Sequence, residues 1–318
     1  MSGQVLARVV RSGFVESVHH GHAVALAADG SVAVSAGEPG APVFARSSLK
    51  PLFAVAMVRA GLDLPPHLLA LAQSSHSGES YHLDGVRRLL AVAGLDVTDL
   101  RNTPGVPLDP DEAARWRAGG RGVTRLAQNC SGKHAAMLVT CAVNGWDRTT
   151  YLRPEHPLQV LLRDVVAELA GEPVAASGVD GCGAVVHAVS PTGLARAFAR
   201  IAVAGPDTPE GRVADANRRH PEWVGGTGRY VTELVRAVPG AIAKDGAEAV
   251  CAAALPDGRA VAVKVLDGAE RPLRPVLTAL LGSVGEESPP LERFARVPVL
   301  GHGVPVGRVV AAWGADPA

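Results

Sequence analysis

The sequence predicts an α/β (α+β) fold in which both chain ends build one antiparallel sheet around a helical middle region. One observation is a hairpin signal near each end. HAVALAA and SVAVSAG flank Asp29-Gly30, and AVCAAAL and RAVAVKVL flank Pro256-Asp257-Gly258, and such turn residues between apolar runs are typical of hairpins. The second observation is helical spacing of apolar residues between them. The simplest arrangement joins the terminal strands into one sheet, with helices packed on it and beside it.

The elements are predicted in chain order as follows. Residues 1–45 and 240–318 form the strands of the sheet, and 46–239 are mostly helical. The passage 103–123 is rich in Pro and Gly and predicts a loop around a short helix. No internal repeat or clear linker divides the chain, which predicts a single domain, 1–318. The individual helices are predicted at about 48–60, 82–93, 132–144, 157–170, 210–219 and 229–237.

Composition excludes several classes of protein. With 47% hydrophobic and 19% charged residues the chain is globular, and its zero net charge gives no indication of nucleic-acid or anionic-membrane binding. No apolar run approaches the roughly 20 residues that span a bilayer. Arg8 and Arg11 interrupt the segment where a signal peptide needs an apolar core, so we expect a cytoplasmic protein. The four cysteines are then expected to be thiols or metal ligands rather than disulfides.

Lysine is rare in this chain. Of 31 basic residues only four are lysine, namely Lys50, Lys133, Lys244 and Lys264. Because arginine serves wherever a surface charge is needed, a retained lysine indicates a task that requires loss of a proton. Lys264, in AVAVKVLDG, also fits a solvent-facing strand position.

The segment RSSLKP (46–51) contains a Ser-x-x-Lys arrangement. Ser47 and Lys50 are three residues apart, so one helical turn places hydroxyl and amine on the same side. A neutral lysine there can take the serine proton as the hydroxyl attacks a carbonyl. Holding lysine neutral near pH 7 costs about 4 kcal/mol, which burial and a second cation can offset. Chance is the alternative, but the strand-to-helix junction and Pro51, which disfavours helix at Lys50, favour a catalytic site.

Two further segments indicate a catalytic site only when they are considered together with that motif. Ser75 in QSSHSGE (73–79) and Lys244 in AIAKDGAEAV (241–250) each fit an ordinary turn when taken alone. Together with Ser47 and Lys50 they match in order and kind the three elements of penicillin-recognising serine enzymes: Ser-x-x-Lys, a second loop serine, and Lys-x-Gly. Lys-Asp-Gly replaces the usual Lys-Thr-Gly, and the serine loop lacks the final Asn.

QNCSGKHAAM (128–137) and SGVDGCGAVVH (177–187) are candidates for a metal site. Cys130 and Lys133 begin a helix, and Asp180, Cys182 and His187 lie in the second segment. Since lysine is a rare zinc ligand, the spacing alone favours a buried cysteine and a surface lysine over a metal.

These segments resemble one family. RSSLKP, SSHSGE, NCSGKH, VDGCG, HPEWVGGTGRY and AIAKDG recur in order in the thermolabile, Rhizobium-type (class 3) L-asparaginases, the asparaginase II family, and the similarity extends over nearly the whole chain. The resemblance implies a fold like that of serine β-lactamases and glutaminases, a homodimer, and hydrolysis of L-asparagine to aspartate and ammonia.

The resemblance also implies roles for individual residues. It implies two pairs, Ser47 with Lys50 and Ser75 with Lys244, of which Ser47 is the expected nucleophile because its base lies on the same helical turn. The remaining implied roles are one zinc ion held by Cys130, Lys133, Cys182 and a water, an α-ammonium site at Asp180, and an α-carboxylate site at Arg46 or His134.

Alternatives remain open from the sequence. A glutaminase or another small-amide hydrolase fits the same site, because one methylene changes binding by only about 1–3 kcal/mol. A penicillin-binding or β-lactamase role fits less well without a signal peptide. A non-catalytic zinc- or redox-responsive protein using Cys130 and Cys182 would have no need of the Ser–Lys pairs.

Overall fold

The computed structural model describes residues 2–313, which form eleven strands and twelve α-helices. The strands are β1 Gln4–Arg11, β2 Phe14–Leu26, β3 Val32–Ala36, β4 Val43–Phe44, β5 Ala176–Val179, β6 Val185–Val189, β7 Ile242–Gly246, β8 Val250–Ala254, β9 Ala260–Val265, β10 Pro298–Gly301 and β11 Val304–Ala311. The helices are α1 Lys50–Arg59, α2 Pro66–Ala72, α3 Ser80–Ala91, α4 Pro110–Ala118, α5 Ser131–Val143, α6 Pro157–Ala170, α7 Pro191–Val203, α8 Pro209–Arg219, α9 Pro221–Val224, α10 Tyr230–Ala237, α11 Leu273–Ser283 and α12 Pro289–Phe294. A short 3₁₀ helix, Arg46–Leu49, precedes α1.

Strands from both ends of the chain share one antiparallel sheet, which confirms the predicted fold class. The strand order is β10-β11-β1-β2-β9-β8-β7, and β3 pairs with the end of β2. The first and last strands are neighbours, because β1 pairs with β11. Both predicted hairpins are present, since β2 pairs with β3 and β8 pairs with β9.

The structure adds detail to this division of the chain in two places. The stretch 46–239 also contains β5 and β6, which form a separate three-stranded sheet with β4. The stretch 240–318 also contains α11 and α12, which bury apolar side chains such as Leu277 and Phe294 against the sheet. The six predicted helices correspond to α1, α3, α5, α6, α8 and α10, whereas the prediction for the middle region omitted α2, α7 and α9. The start signals of α7 are nevertheless present, because Ser190 caps the helix and Pro191 occupies its first turn.

The central strands are apolar on both sides because helices cover both faces of the sheet. On β9, Val261 and Val263 face the core around α10, α11 and α12, while Ala260 and Ala262 face the larger helical core that contains α1 and α7. Small side chains on that second face let the 3₁₀ helix and α7 lie close to the sheet. No helix in residues 2–313 is long and apolar enough to cross a membrane.

Candidate active site

A sharp bend positions the Ser-x-x-Lys segment at the edge of the sheet. Arg46 has a positive φ of 52°, a left-handed conformation that is costly for a residue with a Cβ and that is often found at functional sites. The chain then forms the 3₁₀ helix, in which residues three apart are eclipsed. The Lys50 amide donates to Ser47 O, while Pro51 has no amide hydrogen to continue the α-helical pattern. Ser47 is half-buried at this bend.

The Lys50 side chain lies at the centre of the site. It is only 1% exposed, and its ammonium donates to Ser74 O, to Ser75 Oγ at 3.0 Å and to Cys130 Sγ at 3.2 Å. One buried lysine therefore contacts both the serine loop and the start of α5. The structure thus brings Lys50 to Ser75, whereas the resemblance implied that Ser75 pairs with Lys244.

The loop carrying Ser75 is held on two sides by backbone hydrogen bonds. Ser75 N donates to Val224 O at 3.0 Å, and His76 N donates to Asn129 O at 3.1 Å. The His76 ring also contacts Ser131 Oγ through Nε2 at 2.8 Å. This loop is therefore an extended segment joined to α5, rather than the free turn that its composition also fits.

Lys244 is a buried residue of strand β7, which corrects its interpretation as a turn residue. Its ammonium has two acceptors, both on Asp245: the carbonyl oxygen at 2.8 Å and the carboxylate oxygen Oδ1. Burial lowers the pKa of Lys244 to about 8, and the charge of Lys50 acts in the same direction against the attraction of Asp245. A fraction of Lys244 is thus neutral near neutral pH.

Gly246, two residues after Lys244, lies where the structure leaves no space for a side chain. A Cβ on Gly246 would lie 2.8 Å from Ala45 O and 3.0 Å from Ser48 Oγ, too close for any side chain without movement of the backbone. Glycine therefore lets β7 lie directly against the 3₁₀ helix. This contact brings the strand of Lys244 next to the turn of Ser47.

Cys130, Lys133 and Cys182 form a buried cluster beside Lys50. The Lys133 ammonium donates to Cys182 Sγ at 3.2 Å. A hydrogen bond from Cys130, together with the charge of Lys133, lowers the pKa of Cys182 to about 4. The same hydrogen bond and burial raise the pKa of Cys130 to about 12. Burial disfavours the charged form of Lys133 and lowers its pKa. The negative charge of the two sulfur atoms acts more strongly and raises the pKa of this lysine.

The donor atoms of this cluster fit a zinc ion. Residues 2–313 contain no group of three or more His, Cys, Asp or Glu side chains arranged to hold a metal, so a metal here needs Lys133 as a ligand. Tetrahedral zinc separates a nitrogen and a sulfur ligand by about 3.6 Å, close to the 3.2 Å between Lys133 Nζ and Cys182 Sγ. All three side chains are nearly inaccessible to solvent.

The residues expected to bind an amino-acid substrate lie around the same cluster. Arg46 forms an ion pair with Asp180 at 2.8 Å. Burial raises the pKa of Asp180, but the charges of Lys133 and Arg46 outweigh it, and the carboxylate stays ionised. Asp180 and Arg46 therefore offer adjacent opposite charges, as an amino-acid zwitterion requires.

His134 is buried one residue after Lys133, on α5. Its Nδ1 contacts Tyr151 Oη at 2.7 Å, while its Nε2 is buried without a hydrogen-bond partner. Burial and the charge of Lys133 lower its pKa well below the usual value. This neutral ring can thus donate or accept one further hydrogen bond.

The structure brings every predicted site residue except His187 into one region between β7, the 3₁₀ helix and α5. His187 pairs with Ser177 instead, at 2.9 Å from ring Nδ1 to hydroxyl. Sequence reasoning missed Asp245, Arg229 and Tyr151. Their contacts with Lys244, Asp245 and His134, respectively, are side-chain contacts that no known motif predicts. A cavity of about 1160 Å³ between α11, α12, β10 and β11 contains none of the site residues.

Comparisons with known proteins identify a matching family and similar crystal structures. A family model described as L-asparaginase II matches residues 7–311. Two crystal structures of Mglu are similar to this chain: its native form in 4.3 M NaCl (15% identity, TM-score 0.36, covering 86% of this chain and 64% of that chain) and its tris and glutamate form (16%, 0.35, 90% and 64%). The chain thus spans just under two thirds of the length of the Mglu chains. No curated protein matches it.

Proposed function

Because this chain belongs to the L-asparaginase II family, we propose that it hydrolyses L-asparagine to L-aspartate and ammonia through an acyl-enzyme on Ser47. Family membership supports an amidohydrolase. The observation that carries the finer proposal is the arrangement of Ser47 on the same helical turn as Lys50, beside two further lysines in a buried site. A buried amine beside a serine hydroxyl suits proton transfer.

In the proposed reaction, neutral Lys50 takes the proton of Ser47 while Ser47 Oγ attacks the side-chain amide carbon. The tetrahedral intermediate collapses as Lys50 returns the proton to the leaving nitrogen, and ammonia departs. Water then attacks the β-acyl ester, its proton passes to Lys50, and the Ser47 hydroxyl re-forms. Ser75 Oγ, 3.0 Å from Lys50 Nζ, and Lys244 relay protons within the site.

Substrate orientation follows from the charged groups at the rim. Asp180 receives the α-ammonium, and Arg46 with His134 places the α-carboxylate. Because Arg46 and Asp180 already form an ion pair, a zwitterion can take the place of that pair without leaving either charge unmatched. We further propose a cytoplasmic homodimer with one zinc ion per chain.

Cys130, Lys133 and Cys182 hold the zinc ion in this proposal, with water as the fourth ligand. Held by these residues, a dication would compensate the thiolate charges and join the start of α5 to the turn at Cys182, which is a structural role at the border of the substrate site. Ser47 remains the nucleophile. Both cysteines would bind as thiolates, so the proton that Cys130 donates to Cys182 would be released to solvent on zinc binding.

Substrate identity is tested by ammonia release from a matched panel. We expect wild-type protein loaded with zinc to release ammonia from L-asparagine, and at least about tenfold less from D-asparagine, L-glutamine and β-alanine amide at equal concentration. β-Alanine amide lacks the carboxylate that Arg46 would bind. Release from L-glutamine alone would keep the mechanism and change the substrate, whereas no release from any amide would favour a zinc- or redox-responsive protein.

Replacing Cys182 with alanine is expected to remove the bound zinc, because one thiolate and one lysine cannot hold it tightly. Elemental analysis of purified protein should find about one zinc per wild-type chain and almost none in the variant. The matched control is Cys141→Ala, since Cys141 is a buried cysteine of α5 outside the cluster. Wild-type protein that stays free of zinc after incubation with the metal would contradict the ligand assignment.

A further inference from the structure

The glycine-rich segment HPEWVGGTGRY (220–230) contacts both halves of the proposed proton relay. Val224 O accepts a hydrogen bond from Ser75 N at 3.0 Å, and Gly225 O accepts one from Ser77 N at 2.9 Å. Four residues after Gly225, Arg229 Nη2 donates to Asp245 Oδ2 at 2.9 Å. One segment therefore fixes the Ser75 loop at one end and the carboxylate beside Lys244 at the other.

We propose that Asp245 and Arg229 are positioning residues that hold the Lys244 amine and set the balance between its charged and neutral forms. This inference rests on the proposed function, because it gives a purpose to Lys244 in proton transfer. Neither residue touches the substrate in the proposed reaction.

The Asp245 carboxylate is shared between Lys244 and Arg229. Lys244 is fully buried and finds both of its acceptors on Asp245. A buried lysine with a carboxylate of its own would stay charged, because separating such a pair leaves an uncompensated ion. Here the second carboxylate oxygen is engaged by Arg229, which retains its charge at all accessible pH values. Arg229 thus weakens the hold of Asp245 on the Lys244 proton.

Other groups around Lys244 either raise or lower its pKa or carry no charge. Burial and the charges of Lys50 and Arg229 lower the pKa of Lys244, and Asp245 raises it. Burial raises the pKa of Cys251 on β8 and of Tyr230 on α10, so both stay neutral. Glu270 adds a more distant negative charge, which acts on Arg229, Tyr230 and Cys251. Asp245 contacts Lys244, and Arg229 contacts Asp245, so the charges of these two side chains are the ones whose removal tests the proposal.

Removing these two charges should shift the titration of Lys244 in opposite directions. Asp245→Asn keeps an acceptor but removes the negative charge, so the midpoint should fall by about one pH unit or more. Arg229→Gln frees the carboxylate for Lys244, so the midpoint should rise by about half a unit or more. Arg229→Lys, which keeps the charge, should restore a midpoint near that of the wild type. A role confined to support of the fold would not produce shifts of opposite sign.

The four lysines of this chain make a direct measurement practical. NMR of protein labelled with ¹³C at lysine Cε follows each amine through its titration, and Lys244→Arg identifies the signal. Arg87→Gln, which breaks an exposed ion pair with Asp84, is the control and should leave the midpoint in place. Midpoints that stay fixed, or that move together in Asp245→Asn and Arg229→Gln, would overturn the proposal. If Asp245→Asn does not fold, the rise in Arg229→Gln and its restoration in Arg229→Lys decide the question.

A parallel pH profile of kcat separates this inference from the proposed function. A relay through Lys244 requires this amine to accept a proton in its neutral form, so the ascending limb of activity should follow the NMR midpoint in each variant. If wild-type protein hydrolyses no amide, the proposed function fails, but the NMR titration still shows whether Asp245 and Arg229 control Lys244.

Discussion

Ser47→Ala is expected to lower kcat for amide hydrolysis by at least about 10³-fold, because removal of a serine nucleophile leaves only binding and electrostatic effects. Binding of L-asparagine should persist, since Asp180 and Arg46 are unchanged. Ser47 is half-buried at the end of the bend, so loss of its hydroxyl should alter the melting temperature little. Turnover is measured by ammonia release and binding by calorimetry with the inactive variant.

Two neighbouring serines sharpen that experiment. Ser75→Ala removes an acceptor of Lys50 and should lower kcat by a smaller factor, about 10²-fold, if Ser75 only relays protons. Ser48→Ala is the matched control, because Ser48 lies in the same 3₁₀ helix but bonds backbone oxygens of β7 and β8. Its expected effect is a stability loss of about 1 kcal/mol with turnover retained. Near-normal turnover of Ser47→Ala, with Ser75→Ala inactive, would move the nucleophile to Ser75.

Local signals were enough to predict the framework of the fold. Turn residues at Asp29-Gly30 and at Pro256-Asp257-Gly258 set the two hairpins, whose positions depend only on neighbouring residues. The same locality explains the failures. β5 and β6 are short strands that exist because they pair with each other and with β4, and the apolar surface of α11 is defined by the sheet beneath it. Neither the pairing of these strands nor the apolar surface of α11 can be predicted from a short window of sequence.

The candidate site also contains some residues that local spacing predicts and some contacts that it does not predict. Ser47 and Lys50 could be found from spacing, because one helical turn places them together. Cys130, Lys133 and Cys182 could be assembled only through the resemblance, since 49 residues separate Lys133 from Cys182. The contact of Lys50 with Cys130 and the ion pair of Arg229 with Asp245 had no sequence signal at all. Each depends on tertiary packing of segments that local patterns treat separately.

Burial makes the lysines of this site different from an ordinary surface charge. Lys50, Lys133 and Lys244 are at most 2% exposed, whereas Lys264 is half-buried at the end of β9. Three buried amines in one region repel one another when charged, and each added proton makes the next less favourable. The rarity of lysine in this chain is therefore matched by its location, because three of the four lysines are buried in the candidate site.

Lys50 offers the sharpest test of that idea, because arginine can imitate its charge but not its loss of a proton. Lys50→Arg and Lys50→Met are both expected to lower kcat by about 10²- to 10⁴-fold, the usual contribution of a general base. Lys50→Arg should be no more active than Lys50→Met, even though it keeps a cation beside Ser75 and Cys130. Steady-state kinetics, with melting temperatures to confirm folding, measure both effects.

The control is Lys264→Arg, at a lysine outside the proposed reaction, which should keep wild-type turnover. If Lys50 serves only as a cation that holds the Ser75 loop and α5 together, Lys50→Arg should recover a large part of the activity lost in Lys50→Met. Recovery to within about tenfold of the wild type would therefore remove Lys50 as the base. In that case Lys244, whose pKa of about 8 already permits a neutral fraction, would be the remaining buried amine able to accept the serine proton.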